Sequence, residues 1–294
     1  MTTLPETVPS AETQRATRNA QRATRNGLTL RIISGFVAVP FLLGVAYLGD
    51  PVYGAFICLA TGYAAFEIRG MLRAGGYAPL DWALIGLAVV LPLDRWLAGY
   101  GWPAPDGLAV VTAVVVGGLV ALLIRPTSER ALVDWALSVG LALYLGGLMQ
   151  FYMPLRAQPT SLPGFWVIAL LVLSWVCDSC AYFVGGAIGR TRLAPSISPN
   201  KSVEGAVAGL VGAAIVAPLL GLGVGLAPAL MAGYGLVIGL ATVVGDLIES
   251  LIKRHTGVKD SGVLIPGHGG LLDRMDSLLL CAPLAVLYLR VFGG

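Results

Sequence analysis

The chain has 294 residues, of which 56% are hydrophobic and 12% charged, and its mean hydropathy is +0.81. Soluble domains carry roughly twice that charged fraction, so the composition excludes an ordinary soluble domain and points to the bilayer. The net charge of +3 calls for no nucleic-acid partner, and the four cysteines (Cys58, Cys177, Cys180 and Cys281) lie in apolar runs, which argues against a secreted disulfide framework.

Residues 1–27 are polar and contain a direct repeat, QRATRN at 14–19 and again at 21–26. A cleavable signal would place an apolar run directly after a short basic region. The segment is instead expected to be a disordered, basic cytoplasmic tail that orients the chain. Apolar runs then follow near 31–49, 52–68, 82–100, 107–124, 131–150, 164–188, 203–223, 229–252 and 275–292. A bilayer core takes about 20 apolar residues per helix, so the expectation is an all-α polytopic membrane protein of about nine spans. The run at 52–68 is short, and the one at 82–100 contains Asp94 and Arg95. Residues 28–162 form an N-terminal transmembrane region and 163–294 a C-terminal one that holds the polar clusters.

With the tail placed in the cytoplasm, alternate connections collect Arg15, Arg18, Arg22, Arg25, Arg31, Arg69, Arg73, Arg125, Arg130, Arg190, Arg192, Lys201, Lys253, Arg254, Lys259 and Arg274 on that side. That is 16 of the 19 basic residues; only Arg95, Arg156 and Arg290 fall outside. Nine spans with the N-terminus cytoplasmic and the C-terminus outside therefore satisfy the positive-inside rule. The same arrangement puts the polar loops 189–202 and 253–274 on one face.

The sixth run ends in SWVCDSCAYFVGGAIGR, which carries Asp178. Its CxxC lacks two further zinc ligands, so Cys177 and Cys180 are read as small buried hydrophobes. The segment TRLAPSISPNKSVEG, from Thr191, reads as a rigid polar turn, with Glu204 as a helix cap and Arg190, Arg192 and Lys201 able to meet phosphates. In GDLIESLIKR, residues Asp246, Glu249, Ser250 and Lys253 stand at i, i+3, i+4 and i+7 and share one helix face. Ionisable residues in a membrane helix are costly and point to function. Asp273 and Asp276 open the last run three residues apart. Both histidines of the chain, His255 and His268, fall between these two acidic helix ends. Carboxylates that suit a hard cation, with Lys and Arg around them, are the groups that phosphoryl or nucleotidyl transfer needs. There is no P-loop motif and no GxGxxG before a helix.

From Ser250 the chain reads SLIKRHTGVKDSGVLIPGHGGLLDRMD. Ser250, Lys253-Arg254, Lys259-Asp260, Gly262, Pro266, His268-Gly269-Gly270 and Asp273-Arg274-Met275-Asp276 match the C-terminal pattern of the phosphatidate cytidylyltransferases, or CDP-diacylglycerol synthases. The upstream Asp178-Ser179 and Ser198-Pro199-Asn200-Lys201 segments also resemble that family. Cys180 replaces a frequent Gly, and Ser202-Val203 a commoner Thr-Trp. The resemblance is strong over 165–292 and extends to the first five runs only in hydropathy. It implies an enzyme joining CTP and phosphatidate into CDP-diacylglycerol and pyrophosphate in phospholipid biosynthesis. The active site would face the cytoplasm from a bacterial cytoplasmic membrane. It further implies Mg²⁺ held by Asp246 and Asp273, with Asp178 completing a centre that takes a second cation such as K⁺. Lys201, Lys253, Arg254, Lys259 and Arg274 are assigned to phosphates, with Ser250 in the substrate site. His268 would donate to a phosphate, and Gly269 and Gly270 would let the backbone approach it. The assembled form would be a homodimer. Asp246, Asp273, Lys253 and Arg274 are the expected catalytic set. A polyprenol or dolichol kinase fits the 250–276 pattern less well. A CDP-alcohol phosphotransferase would need its own acidic helix motif, and a transporter would call for internal symmetry; neither is found.

Overall fold

The computed structural model describes residues 35–102, 106–124, 129–262, 264 and 269–293. The tail at 1–27, the residues Pro266 and His268, and Arg125 lie outside the described residues. The chain forms α1 (Gly35–Leu48), α2 (Val52–Ala74), α3 (Asp81–Gly99), α4 (Gly107–Ile124), α5 (Ala131–Met149), α6 (Tyr152–Arg156) and α7 (Phe165–Ile188). A hairpin of β1 (Arg192–Ala194) and β2 (Ser198–Ser202) follows. The chain ends with α8 (Val203–Leu222), α9 (Pro228–Thr256), α10 (Leu272–Leu279) and α11 (Cys281–Phe292).

The expected all-α membrane architecture is what the described residues form. Seven segments are long and apolar enough to cross a bilayer: Val52–Ala74, Asp81–Gly99, Ala131–Arg156, Phe165–Ile188, Val203–Leu222, Pro228–Thr256 and Leu272–Phe292. The first and fourth runs appear as the shorter apolar helices α1 and α4. Two of the long segments are each interrupted once, and proline explains both. Pro154 has no N–H for the carbonyl of Gln150, where α5 gives way to α6; Pro283 has none for Leu279, where α10 gives way to α11.

Without water to drive helices together, membrane helices associate through close packing of small residues. Gly146 of α5 lies where a Cβ would fall on the carbonyl of Ala88 in α3, and Gly235 of α9 packs in the same way on Ala213 of α8. Between α7 and α8, Gly209 faces Cys177 and Gly212 faces Cys180. The thiol that stands in place of a glycine on α7 is therefore accommodated by a glycine on its neighbour. Cys177 is buried, and its Sγ lies 3.6 Å from the carbonyl of Gly239, consistent with a packing role.

The segment expected to be a plain turn is an antiparallel hairpin, with Arg192 opposite Ser202 and Ala194 opposite Ser198. Capping also differs from expectation. Ser202 is the N-cap of α8 and accepts from Gly205 N at 3.1 Å, whereas the Glu204 carboxylate accepts from Thr191 N at 3.1 and 3.2 Å. Glu204 thus anchors the hairpin base, and the hydroxyl that precedes it serves the helix.

Helix α9 has 29 residues, about 43 Å of helix, longer than the ~30 Å of a hydrocarbon core. Pro228 opens it at a position where no N–H is required, and Gly257 closes it at φ 71°. Val258 N then returns to the carbonyl of Lys253 at 3.1 Å. The surplus length carries Asp246 to Arg254 beyond the most apolar part of the helix.

Adjacent glycines test the packing argument. Gly146→Ala should lower stability by about 1–3 kcal/mol by overpacking against α3. Gly147, which faces open space, should accept Ala neutrally or gain up to about 1 kcal/mol. Thermal unfolding of the two variants in detergent measures the contrast; equal melting temperatures would refute the close α3–α5 contact.

Candidate active site

The end of α9, the start of α10, strand β2 and the polar part of α7 bring the charged residues together. On α9, Asp246 Oδ1 accepts from Ser250 Oγ at 3.3 Å, one helical turn on. Its other oxygen pairs with the ammonium of Lys201 from β2. Arg254 Nε donates to the carbonyl of Ile197 at 3.1 Å. The hairpin is therefore held to α9 at two points, and two cations read from the sequence as phosphate ligands hold protein groups here.

Lys253 bridges two helices. Its Nζ lies 3.2 Å from Glu249 Oε1 and 2.9 Å from Asp273 Oδ1. The side chain of Glu249 is 1% exposed, so Lys253 neutralises carboxylates that water barely reaches. Among the described residues, this ion pair is what compensates the Glu249 carboxylate. Asp273 is the most fully bonded carboxylate of the group. Besides Lys253, its Oδ2 accepts from Ser261 N at 2.9 Å and Gly270 N at 2.8 Å. The loop from α9 back to α10 thus closes on this side chain.

The glycines of the loop have a local cause. Gly269 has φ 82°, a left-handed backbone, and a Cβ there would come within 2.6 Å of Asp273 Oδ2. Gly270 is buried, and a Cβ on it would overlap Ser261 Oγ and Glu67. The expected reason for these glycines was access to phosphate; the structure adds that both let the loop fold onto Asp273.

Three further carboxylates, Asp178, Asp246 and Asp276, belong to the site, the last two of them half-buried. Asp178 is exposed and within electrostatic range of Asp246, Asp276, Lys201 and Arg274. Asp276 uses Oδ1 to accept from Ser277 N at 2.6 Å and Ser277 Oγ at 3.1 Å. Arg274 and Lys259 are exposed. A cavity of about 430 Å³ begins among apolar side chains of α1, α2 and α7, including Phe41, Phe56 and Trp175. It ends at Asp178, Asp273, Arg274 and Asp276, so it is greasy along most of its wall and charged at one end.

Among the described residues, no three His, Cys, Asp or Glu side chains form a ready-made metal cage. The donors present are hard carboxylate oxygens, and Asp178 and Asp276 carry theirs on the wall of the cavity. That chemistry fits Mg²⁺, which takes one or two protein carboxylates and completes its shell with water and substrate phosphates.

The sequence reading gave no role to Glu67. This carboxylate reaches from α2 to the start of α10, where it accepts from Leu271 N and Leu272 N at 2.9 and 2.7 Å. The signal was present as a lone acidic residue in the apolar stretch GYAAFEIRGM. It lies at the polar edge of its run, where a lone acidic residue carries no pattern that points to a distant partner.

The sequence pattern of the cytidylyltransferase family matches residues 29–292. The likeness therefore extends through the N-terminal helices, where hydropathy alone was the expected resemblance. A phosphatidate cytidylyltransferase of Synechocystis sp. is 33% identical over 87% of this chain and 94% of its own length. One of Thermotoga maritima is 30% identical over 91% of this chain and 98% of its own. One of Mycobacterium tuberculosis is 33% identical over 96% and 86%.

Removing one partner of a buried ion pair leaves an uncompensated charge, at a cost of about 3–5 kcal/mol. Lys253→Met should lose that much stability, and adding Glu249→Gln should restore only part of it, because Asp273 remains without its counter-charge. Chemical or thermal unfolding of the single and double variants reads this out. A Lys253→Met protein as stable as the parent would show that the bridge is not formed.

Proposed function

We propose that this chain, which belongs to the cytidylyltransferase family, transfers the cytidylyl group of CTP to phosphatidate, giving CDP-diacylglycerol and pyrophosphate. Family membership and relatives named phosphatidate cytidylyltransferase support the reaction and its place in phospholipid biosynthesis. The observation that carries the reading is the cavity whose apolar wall ends at Asp178, Asp273, Arg274 and Asp276. Such a space suits a substrate with acyl chains at one end and a phosphate at the other.

In the proposed reaction, a phosphate oxygen of phosphatidate attacks the α-phosphorus of CTP. A new P–O bond forms as the bond to the β-phosphate breaks, and pyrophosphate leaves with that electron pair. Both reactants are polyanions. Lys201, Lys253, Arg254, Lys259 and Arg274 would offset their repulsion, and holding the two in line removes much of the entropic barrier. Arg274, exposed and on the cavity wall, would meet the lipid phosphate. Lys201, part-exposed beside Asp246, would serve a nucleotide phosphate. Asp246 and Asp273, with Asp178, remain the proposed Mg²⁺ ligands, and a second cation such as K⁺ would sit beside them. When bound, the metal would supply charge stabilisation for the phosphates. Ser250 would keep Asp246 oriented, His268 would donate to a phosphate, and Gly269 and Gly270 would keep the loop close to the nucleotide.

The division at residues 162 and 163 separates a scaffold from a catalytic region in this reading, because the site carboxylates and cations all lie after it. The distribution of basic residues favours nine spans and a site on the cytoplasmic face of the bacterial membrane. The acyl chains would stay within the bilayer.

Purified protein should release pyrophosphate only when CTP, phosphatidate and Mg²⁺ are all present. Turnover with a polyprenol in place of phosphatidate would overturn the assignment. Asp246→Asn should lower kcat by about 100-fold or more while the melting temperature stays close to that of the parent; near-normal turnover would remove Asp246 from the chemistry. For sidedness, a Lys259→Cys variant should react with a membrane-impermeant maleimide in inside-out vesicles and stay unlabelled in intact cells. The reverse pattern would invert the topology.

A further inference from the structure

We infer that Glu67 is a positioning residue for the reaction: a carboxylate from the N-terminal region that sets the start of α10 and thereby the orientation of Asp273 and Arg274. The inference rests on the proposed function for its link to turnover, and on observed contacts for everything else.

A helix begins with backbone N–H groups that have no partner within the helix. In α10 the residue at the N-cap is Leu271, whose side chain caps nothing. The cap comes from 204 residues away. Glu67 Oε1 accepts from Leu271 N at 2.9 Å, and Oε2 accepts from Leu272 N at 2.7 Å. Ser261 extends the network: its Oγ donates to Glu67 Oε2 and accepts from Asp273 N, both at 3.3 Å. Three successive N–H groups are thus satisfied by Glu67 directly or through one hydroxyl. The negative charge also lies at the end of the helix that favours it.

The same network fixes the site. Ser261 N and Gly270 N hold Asp273 Oδ2, and Lys253 holds Oδ1. Glu67 is 5% exposed, so its hydrogen bonds cannot be exchanged readily for water. The space around it is filled to the limit. A Cβ on Gly262 or on Gly270 would overlap its Oε1. Gly262, a position in the loop that requires a small residue, therefore has its cause in a side chain from α2. Apart from its packing on the backbone of Gly270, Glu67 meets none of the side chains assigned to substrate, so it acts through the start of α10, Asp273 and Arg274.

Glu67→Gln keeps the shape but turns one accepting oxygen into an amide that faces a backbone N–H. In full-length protein in lipid–detergent micelles, kcat for pyrophosphate release should fall about 10- to 100-fold. The KM for CTP should change much less, and the melting temperature should hold. Hydrogen exchange should quicken at 258–262 and 270–274 but not in α7 or α8. Ser261→Ala should do the same through the same network, so the double variant should be no slower than the worse single one. Glu67→Asp, which keeps the charge on a shorter arm, should recover part of the rate. Parent-like kcat and exchange in both single variants would overturn the inference. So would rate losses that add and merely follow the melting temperature. Should Glu67→Gln fail to fold, Ser261→Ala carries the comparison alone. If the parent releases no pyrophosphate from CTP and phosphatidate, the proposed function fails, while the exchange comparison still decides the role of Glu67.

Discussion

A carboxylate at the end of a membrane helix is costly unless it is neutralised and fully hydrogen-bonded, and Asp273 meets both conditions at once. Lys253 of α9 supplies the charge, and the backbone of Ser261 and Gly270 supplies the remaining bonds. One side chain thereby joins the end of α9, the start of α10 and the loop between them. If Asp273 were left unpaired, the loop would have nothing to fold onto and the charged groups around it would lose their common frame.

The site has a held part and an open part. Glu249 and Asp273 are buried and tied together through the half-buried Lys253, so the three behave as framework as well as candidate chemistry. Asp178, Lys259 and Arg274 are exposed, and the salt bridge from Lys201 to Asp246 is part-exposed and joins the hairpin to α9. An arriving polyphosphate and its cation would compete most easily for these less buried groups. That division follows from dielectric environment: buried pairs resist exchange, whereas exposed pairs are weak and replaceable.

The N-terminal helices do more than fill the membrane. They wall the greasy end of the cavity through residues such as Phe41 and Phe56, and α2 sends Glu67 into the loop of the C-terminal region. A second support lies at the α2–α3 connection, where Asp134 and Ser138 of α5 accept from Ala78 N and Leu80 N. In each case a polar side chain on one helix satisfies backbone donors at the end of another, the condition under which irregular backbone survives near a membrane.

The sequence by itself determined the membrane class, because apolar run length is a direct physical requirement of the bilayer. It also located the carboxylates and cations, because charge is rare enough in such a chain for each cluster to stand out. The spacing of Asp246, Glu249, Ser250 and Lys253 placed them on one helix face, and Ser250 does bond Asp246. What spacing could not give is pairing between segments distant in the chain. Only the tertiary structure decided that Lys253 serves Asp273 and Glu249, that Arg254 holds the hairpin, and that Ser202 caps α8 while Glu204 does not. The meaning of Gly262 and the role of Glu67 were hidden for the same reason. A hydrogen bond across 204 residues leaves no periodicity to read, since it depends on which helix faces which after the small residues have set their close approach.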